Sequence, residues 1–495
     1  MLTLSWTSEA PAAVGDQLLA VVVRDVPNPD AFDGAFGKPV REAFTAARFG
    51  GKPGDTFSFT RTVGDVLERV VLVGVGDLAD PAAMRTLGHD LVRLGHAAGV
   101  SRLAVDLRSF AGIGAWGDAT AAVRTGNLFA QGCELGGYAY ERFVAEDKRS
   151  RRSVREVVVV ADSTAPAEGS GRGQIIASSI ARARDLVNGP AGLVTPTHLA
   201  ETAKEIVASL QGDHDVQLTV LDRDACAARQ MGCFLGVAQG SDEPPKFIHL
   251  SYKPKAASKG RVCLIGKGVT FDSGGYSIKP TDGMLDMKMD MAGAAAVIAA
   301  FEGAVRLGVP WEVHSIVAAT ENMVSGHAYR LGDILTASNG RTVEINTPDA
   351  EGRLTLADAM VYASKLEPTM MLDFATLTGA CMVALGPKIA GVMSKDDRLA
   401  DDWIAAAGRV GEAMWRLPLP DDLKEQLKSK IADMKNTGER YGGAITAGLF
   451  LSEFTEGCRW LHCDIAGPAM ASKPYGVTTA GGSGVPVATI LEFLG

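Results

Sequence analysis

Paired cysteines are missing from this chain. Its seven thiols (Cys133, Cys226, Cys233, Cys263, Cys381, Cys458 and Cys463) are odd in number, scattered over 495 residues, and form no Cys-x-x-Cys. That excludes thiolate zinc modules and a disulfide framework, and predicts reduced, mostly buried thiols. There is no His-Glu-x-x-His, so a two-histidine zinc helix is excluded; the eight histidines are dispersed and are expected to be packed or on the surface. A P-loop and a Gly-x-Ser-x-Gly nucleophile elbow are also lacking. No apolar run approaches the ~20 residues that a membrane-spanning helix needs. The opening Met1-Leu2-Thr3-Leu4-Ser5-Trp6 has no basic stretch leading into an apolar one, so no signal peptide is expected, and a cytoplasmic protein without a membrane partner is. Positive charge is in deficit, with 49 Lys plus Arg against 58 Asp plus Glu and a net charge of −9. This disfavours nucleic acid as a partner, because binding it requires a surface that neutralises phosphates.

What the chain does have is the composition of a globular protein, 46% hydrophobic and 22% charged, at a length that exceeds one ordinary core. Two domains are therefore expected. Residues 18–23, 70–73 and 157–160 are short β-branched runs without polar alternation, as in strands buried on both faces of a sheet. Between them, residues 84–98 and 119–135 have helical character. The first 165 residues read as a self-contained α/β domain. Residues 166–190 follow as a linker and connecting helix, the helix expected over about 174–186. Thr195-Pro196-Thr197 should open another helix, running to about 210. From residue 191 to 495 strands and helices alternate densely. Asn339-Gly340, between residues 334–337 and 342–345, predicts a hairpin.

Three segments place charge where the surroundings are apolar or glycine-rich. The first is Gly266-Lys267-Gly268-Val269-Thr270-Phe271-Asp272-Ser273-Gly274-Gly275, continuing to Lys279. The second, Met287-Lys288-Met289-Asp290-Met291-Ala292-Gly293, sets Asp290 near a helix N-terminus. The third is Asp349-Ala350-Glu351-Gly352-Arg353, ahead of another helix. Taken singly, each is more often a turn, a helix cap or a surface charge. Taken together, Asp272, Asp290, Asp349 and Glu351 would repel unless compensated. A pair of divalent cations is one solution, and an oxygen-rich set suits Mn²⁺, Mg²⁺ or a Zn²⁺ tolerant of hard ligands.

In order and spacing these segments resemble the signature of the M17 leucyl aminopeptidase family. Further matches lie at Ala181-Arg182 through Asn188, at residues 231–240 and 329–335, at Thr376-Leu377-Thr378-Gly379, and at Asp464-Ile465-Ala466-Gly467. The resemblance covers roughly residues 175–495; in the N-terminal part it is looser, resting on residues 69–76 and on domain size. It implies a macro-like N-terminal α/β domain and a C-terminal α/β/α catalytic domain with a central mixed sheet. It also implies an aminopeptidase acting on peptides with a free N-terminus and a Leu-like first residue. Lys267, Asp272, Asp290 and Glu351 would hold one metal, and Asp272, Asp349 and Glu351 the other, as Mn²⁺ or Zn²⁺, with Mg²⁺ or Co²⁺ as alternatives. By the same resemblance, Lys279 would polarise the scissile carbonyl or stabilise the gem-diolate oxygen, Arg353 would hold a bicarbonate ion acting as general base, and a metal-bridging water would be the nucleophile. Met287, Thr376, Leu377 and Gly379 would contact substrate, and the assembly would be a homohexamer.

One departure stands out. The family's Asn-Thr before the Asp-Ala-Glu-Gly-Arg-Leu run is here Thr347-Pro348, so φ is fixed and a backbone donor is lost beside the metal loop. Other readings are a two-metal hydrolase of another bond, such as a phosphatase, and a binding protein whose N-terminal domain takes a nucleotide or nucleic acid. Gly112-Ile113-Gly114-Ala115-Trp116-Gly117 matches a dinucleotide fingerprint literally, but no helix opens at its third glycine, so a loop is expected there.

Overall fold

The computed structural model describes residues 2–9, 16–23, 49–76, 81–108 and 119–495. The glycine-rich stretch at 112–117 lies outside them. The chain divides into two compact units, Met1–Ser178 and Ser179–Gly495.

The first unit is built on a six-stranded sheet in the order β1-β6-β5-β2-β4-β3. Its strands are β1 (Thr3–Thr7), β2 (Gln17–Val23), β3 (Thr56–Val63), β4 (Val66–Gly74), β5 (Arg102–Asp106) and β6 (Glu156–Val160). All pairs are parallel except β3 with β4. The unbroken apolar run of β2 has a direct cause. Leu18, Ala20 and Val22 pack into one core with residues of the helices Pro81–Ala98 and Ala119–Gly136. Leu19, Val21 and Val23 pack into a second core with Phe49 and Leu72. Both faces of the strand are covered, so neither parity can be polar. The helix expected over 174–186 spans Ala167–Asn188. It begins seven residues earlier than expected, where Ala167, Glu168 and Ser170 sustain a helical turn that Gly169 and Gly171 obscure in sequence.

The second unit carries an eight-stranded mixed sheet in the order β15-β14-β17-β13-β9-β10-β8-β7. These are β7 (Asp215–Leu221), β8 (Lys246–Lys253), β9 (Arg261–Asp272), β10 (Glu312–Asn322), β13 (Met370–Ala375), β14 (Ala390–Met393), β15 (Met414–Arg416) and β17 (Trp460–Asp464). A smaller sheet joins β11 (Ile334–Thr336), β12 (Thr342–Glu344) and β16 (Met434–Lys435), and β11 and β12 form the expected hairpin. Thr195 caps the helix Pro196–Leu210 by accepting from the His198 amide, which gives the Thr-Pro start its mechanism.

Strand β9 is the hub, parallel to β10 on one side and to β13 on the other. Helix α1 (Ala292–Leu307) approaches it through glycines. A Cβ on Gly266 would lie 2.5 Å from the Gly293 carbonyl, and one on Gly293 would lie 2.0 Å from the Phe374 carbonyl. Helix α2 (Glu351–Ser364) shares a core with Cys263 and Ile265 of β9. All seven cysteines are free thiols, six of them buried. No helix among the described residues is long and apolar enough to cross a membrane.

Candidate metal centre

In open α/β sheets ligands collect at the carboxyl ends of parallel strands. Here Asp272 ends β9, Asn322 ends β10, Thr376 follows β13 and Asp464 ends β17. Lys267 sits inside β9, five residues before Asp272, on the parity of Cys263 and Ile265 that meets α2. There its side chain crosses Gly352: a Cβ at that position would lie 2.4 Å from Lys267 Cε and 2.6 Å from Nζ. The glycine between Glu351 and Arg353 is thus required by the close approach of Lys267.

The Lys267 ammonium donates to Asp290 Oδ1 at 2.7 Å and to the Thr376 carbonyl at 3.0 Å, and pairs with Glu351 Oε1 at 2.9 Å. All three of its protons therefore have acceptors. Lys279 spans Asp272 Oδ2 at 2.8 Å and Asp349 Oδ1 at 2.5 Å. Asp272 Oδ1 also accepts from the Gly274 amide and from Asn322 Nδ2, each at 2.8 Å. Oxygens of Asp272, Asp290 and Glu351 lie within 4.8 Å of one another. The group is graded in exposure: the Lys267, Asp290 and Glu351 side chains are sealed, Lys279 is 17% exposed and Asp349 37%. The cluster thus has a closed inner end and an end that solvent reaches.

Four carboxylates facing two ammonium groups leave a surplus of negative charge. Burial pushes the Asp272 carboxyl up to about 6, reinforced by Glu351 and opposed by Lys279 and Lys267. Burial drives Asp290 well above the ordinary carboxylate range, against the pull of Lys267, and raises Asp349 as well. Glu351 goes the other way: burial pushes it up, but Lys267 and Lys279 together carry it below its ordinary value. For Lys267 burial pulls down, and Asp290, Glu351 and Asp272 more than reverse it. Two buried carboxylate oxygens, Asp290 Oδ2 and Glu351 Oε2, have no hydrogen-bond donor among the described residues. Leaving such atoms unsatisfied is costly. Hard, anionic, orphaned oxygens beside an amine fit divalent cations of the Mn²⁺, Mg²⁺ or Zn²⁺ type.

Lys267, Asp272, Asp290, Asp349, Glu351 and Lys279 are thus drawn into one connected cluster. Arg353 lies one helical step on; its guanidinium donates to the Asn436 carbonyl at 2.7 Å while its buried Nε has no partner, and burial brings its pKa down to about 10. Thr376 joins with its hydroxyl as well as its carbonyl, donating to Asp290 Oδ1 at 2.7 Å. The Leu377 amide is engaged by Asp464 Oδ1 at 3.1 Å. Met287, half-buried, opens the turn before Asp290, and its carbonyl accepts from the Asp290 amide at 3.3 Å; exposed Gly379 begins the helix Gly379–Leu385. Two residues not singled out by sequence as site residues hold these parts: Asn322 on Asp272, and Asp464 on Leu377 and Thr378. The signal for both was a polar residue closing an apolar strand, which has meaning only once the strand order is known.

Comparison with known proteins gives a consistent picture. The family description "Cytosol aminopeptidase family, catalytic domain" matches residues 181–491, and "Cytosol aminopeptidase family, N-terminal domain" matches residues 19–146. A protein of Rippkaea orientalis described as "Probable cytosol aminopeptidase" is 43% identical over 466 residues, covering 93% of this chain and 92% of its own. One from a Picosynechococcus species, with the same description, is 42% identical, covering 99% and 97%. Among solved structures, a mutant of tomato leucine aminopeptidase superposes with a TM-score of 0.90 at 35% identity, over 100% of this chain and 96% of that one. The bottromycin maturation enzyme BotP in complex with Mn gives 0.83 at 33%, over 97% and 99%.

Proposed function

The chain belongs to the cytosol aminopeptidase family and is a metal-dependent aminopeptidase, and from that premise we propose that it removes leucine-like apolar residues from peptide N-termini at the Lys267–Glu351 cluster. The observation that carries the assignment of the site is the pair of donorless buried oxygens, Asp290 Oδ2 and Glu351 Oε2. In this reading Lys267, Asp272, Asp290 and Glu351 hold one divalent cation, and Asp272, Asp349 and Glu351 hold a second. Bound there, Mn²⁺ or Zn²⁺ would supply Lewis acidity and make water more acidic.

The chain's own groups divide the remaining work. Lys267 must release its proton to act as a ligand, since only the neutral amine has a lone pair. Lys279 keeps its charge, because Asp272 and Asp349 stabilise the ammonium against burial, and it presents that charge to the scissile carbonyl. Arg353 is proposed to hold bicarbonate as general base, a role supported by the unused donor at its buried Nε. Met287 and the segment after Ala466 are proposed to line the subsite for the first side chain, and Thr376 and Leu377 to offer backbone contacts to the substrate, with Gly379 as a further substrate contact. An apolar subsite separates neighbouring chain lengths by only ~1–3 kcal/mol per methylene, so the preference should be broad. A cytoplasmic location and a homohexamer complete the proposal. The exposed Trp415, Tyr441 and Val383 are apolar surface that an assembly would cover.

The test is turnover of a panel of amino-acid chromogenic amides by Mn²⁺-loaded protein, in bicarbonate-free and bicarbonate-supplemented buffer. Leucine-like first residues should react fastest, and bicarbonate should raise the rate of wild type but not of Arg353→Ala. A preference for charged first residues would overturn the specificity. Indifference of wild type to bicarbonate would remove the role given to Arg353.

A further inference from the structure

Asn322 has a fully buried side chain, and a single nitrogen of it touches two segments of the cluster at once. Its Nδ2 donates to Asp272 Oδ1 at 2.8 Å and to the Pro348 carbonyl at 3.1 Å. Both partners are pure acceptors, so the chemistry itself fixes which end of the amide is nitrogen. The Pro348 carbonyl also accepts from the Tyr329 hydroxyl at 2.7 Å, which occupies both of its lone pairs. The next residue is Asp349.

Three features of the chain create this junction. Between Val269 and Asp272 strand β9 carries one residue more than the facing stretch of β10, and the shift sets Asp272 opposite Asn322. Such irregularities re-aim side chains beside active sites. Ser273 then fixes the backbone of Asn322, its amide and its hydroxyl both donating to the Asn322 carbonyl, at 3.0 and 2.7 Å. Gly275, at φ +59°, leaves the space: a Cβ there would lie 2.8 Å from Pro348 Cβ and 3.2 Å from Asn322 Oδ1. The other flank of the turn is held by Asn436. Its Oδ1 accepts from the Asn346 and Thr347 amides, and its Nδ2 donates to the Thr347 carbonyl. Pro348 offers no amide of its own; Thr347 caps the turn by accepting from the Asp349 amide, and the side chains of Asn322, Tyr329 and Asn436 hold it from outside.

We propose that Asn322 is a positioning residue that fixes the Asp272 carboxylate and the Asp349-bearing turn in register, so that the two segments present a preformed site to a pair of divalent cations. The proposal rests on the metal-site reading above. Groups that orient ligands in this way typically account for ~10–100-fold in metal affinity or activity.

The test is calorimetric titration of chelator-stripped, full-length protein with Mn²⁺ alone, for wild type, Asn322→Asp and Asn322→Ser. The first variant keeps the shape but replaces the donor nitrogen with an oxygen that can carry negative charge; the second removes the donor without adding charge, and serves if the first does not fold. Thermal midpoints and kcat and KM on a leucine amide are measured alongside. The account expects Mn²⁺ affinity to fall roughly 10–100-fold in folded variant protein, with kcat lowered and KM changed by no more than about threefold. A merely structural role would shift the midpoint and leave Mn²⁺ affinity alone. Wild-type affinity in a folded variant overturns the inference, whereas failure of wild type to take up Mn²⁺ overturns the metal reading together with it.

Discussion

The two units handle buried charge in opposite ways. In the first, Glu68 is buried on β4 but has its own partner, Arg61, at 2.7 Å across the antiparallel β3. Asp106, at the carboxyl end of β5, pairs with Arg108 at 2.5 Å. In the second unit the carboxyl ends of β9 and its neighbours collect Asp272, Asp290 and Glu351 with too few cations to match and two oxygens without donors. Among the described residues, these carboxylates are matched by cations in the first unit and outnumber them in the second. Such an arrangement survives burial if some carboxyls hold protons or if something supplies positive charge.

The largest expected effect comes from removing one of the unmatched carboxylates. Glu351→Gln keeps the volume and removes one charge, and should lower kcat/KM on a leucine amide by on the order of 10³-fold or more while the protein stays folded. Activity near that of wild type would place the chemistry elsewhere. Next is a buried carboxylate in the same helix that needs no cation. Asp358 accepts from the Phe234 amide at 2.8 Å and the Ser338 amide at 2.7 Å, and burial lifts its pKa to about 6. A raised folded-state pKa means its stabilising share is complete below the unfolded value near 3.8 and is lost as pH rises through about 6. Urea unfolding of wild type and Asp358→Asn should show wild type losing ground by about 3 kcal/mol between pH 4 and pH 7; a pH-independent difference would contradict this.

Mn²⁺ should sharpen the contrast between units. At a free concentration of about 100 Kd it should stabilise the second unit by about 2.7 kcal/mol for each ion bound. Hydrogen exchange in β2 and β6 of the first unit should not respond. The smallest effect is expected from Glu68→Gln, under about 1 kcal/mol because Arg61 is partly exposed, with unchanged turnover. A large loss of activity there would mean that the first unit is not electrostatically independent.

The same contrast explains what can be read from sequence. Strands such as β2 and β6 are legible because burial leaves unbroken apolar runs at 18–23 and 157–160, and Asn339-Gly340 marks its hairpin by turn chemistry alone. The candidate ligands are legible as charges out of place in apolar surroundings, and through family resemblance. Strand β9 is the instructive difference. Its apolar start at 262–265 is visible, but it runs on through Gly266-Lys267-Gly268 to Asp272, where a lysine between glycines has the look of a loop. Lys267 is tolerated in a central strand only because Asp290, Glu351 and the Thr376 carbonyl surround its ammonium. Those partners come from distant segments. Asn322 and Asp464 are hidden for the same reason, since their roles depend on which strands lie side by side.

The most direct test of the central claim is titration of chelator-stripped protein with Mn²⁺, with bound metal per chain and leucine-amide turnover followed in the same samples. The account predicts uptake of two Mn²⁺ per chain, with activity rising from background as the sites fill. Full activity in metal-free protein, or Mn²⁺ uptake undiminished in Glu351→Gln, would contradict it.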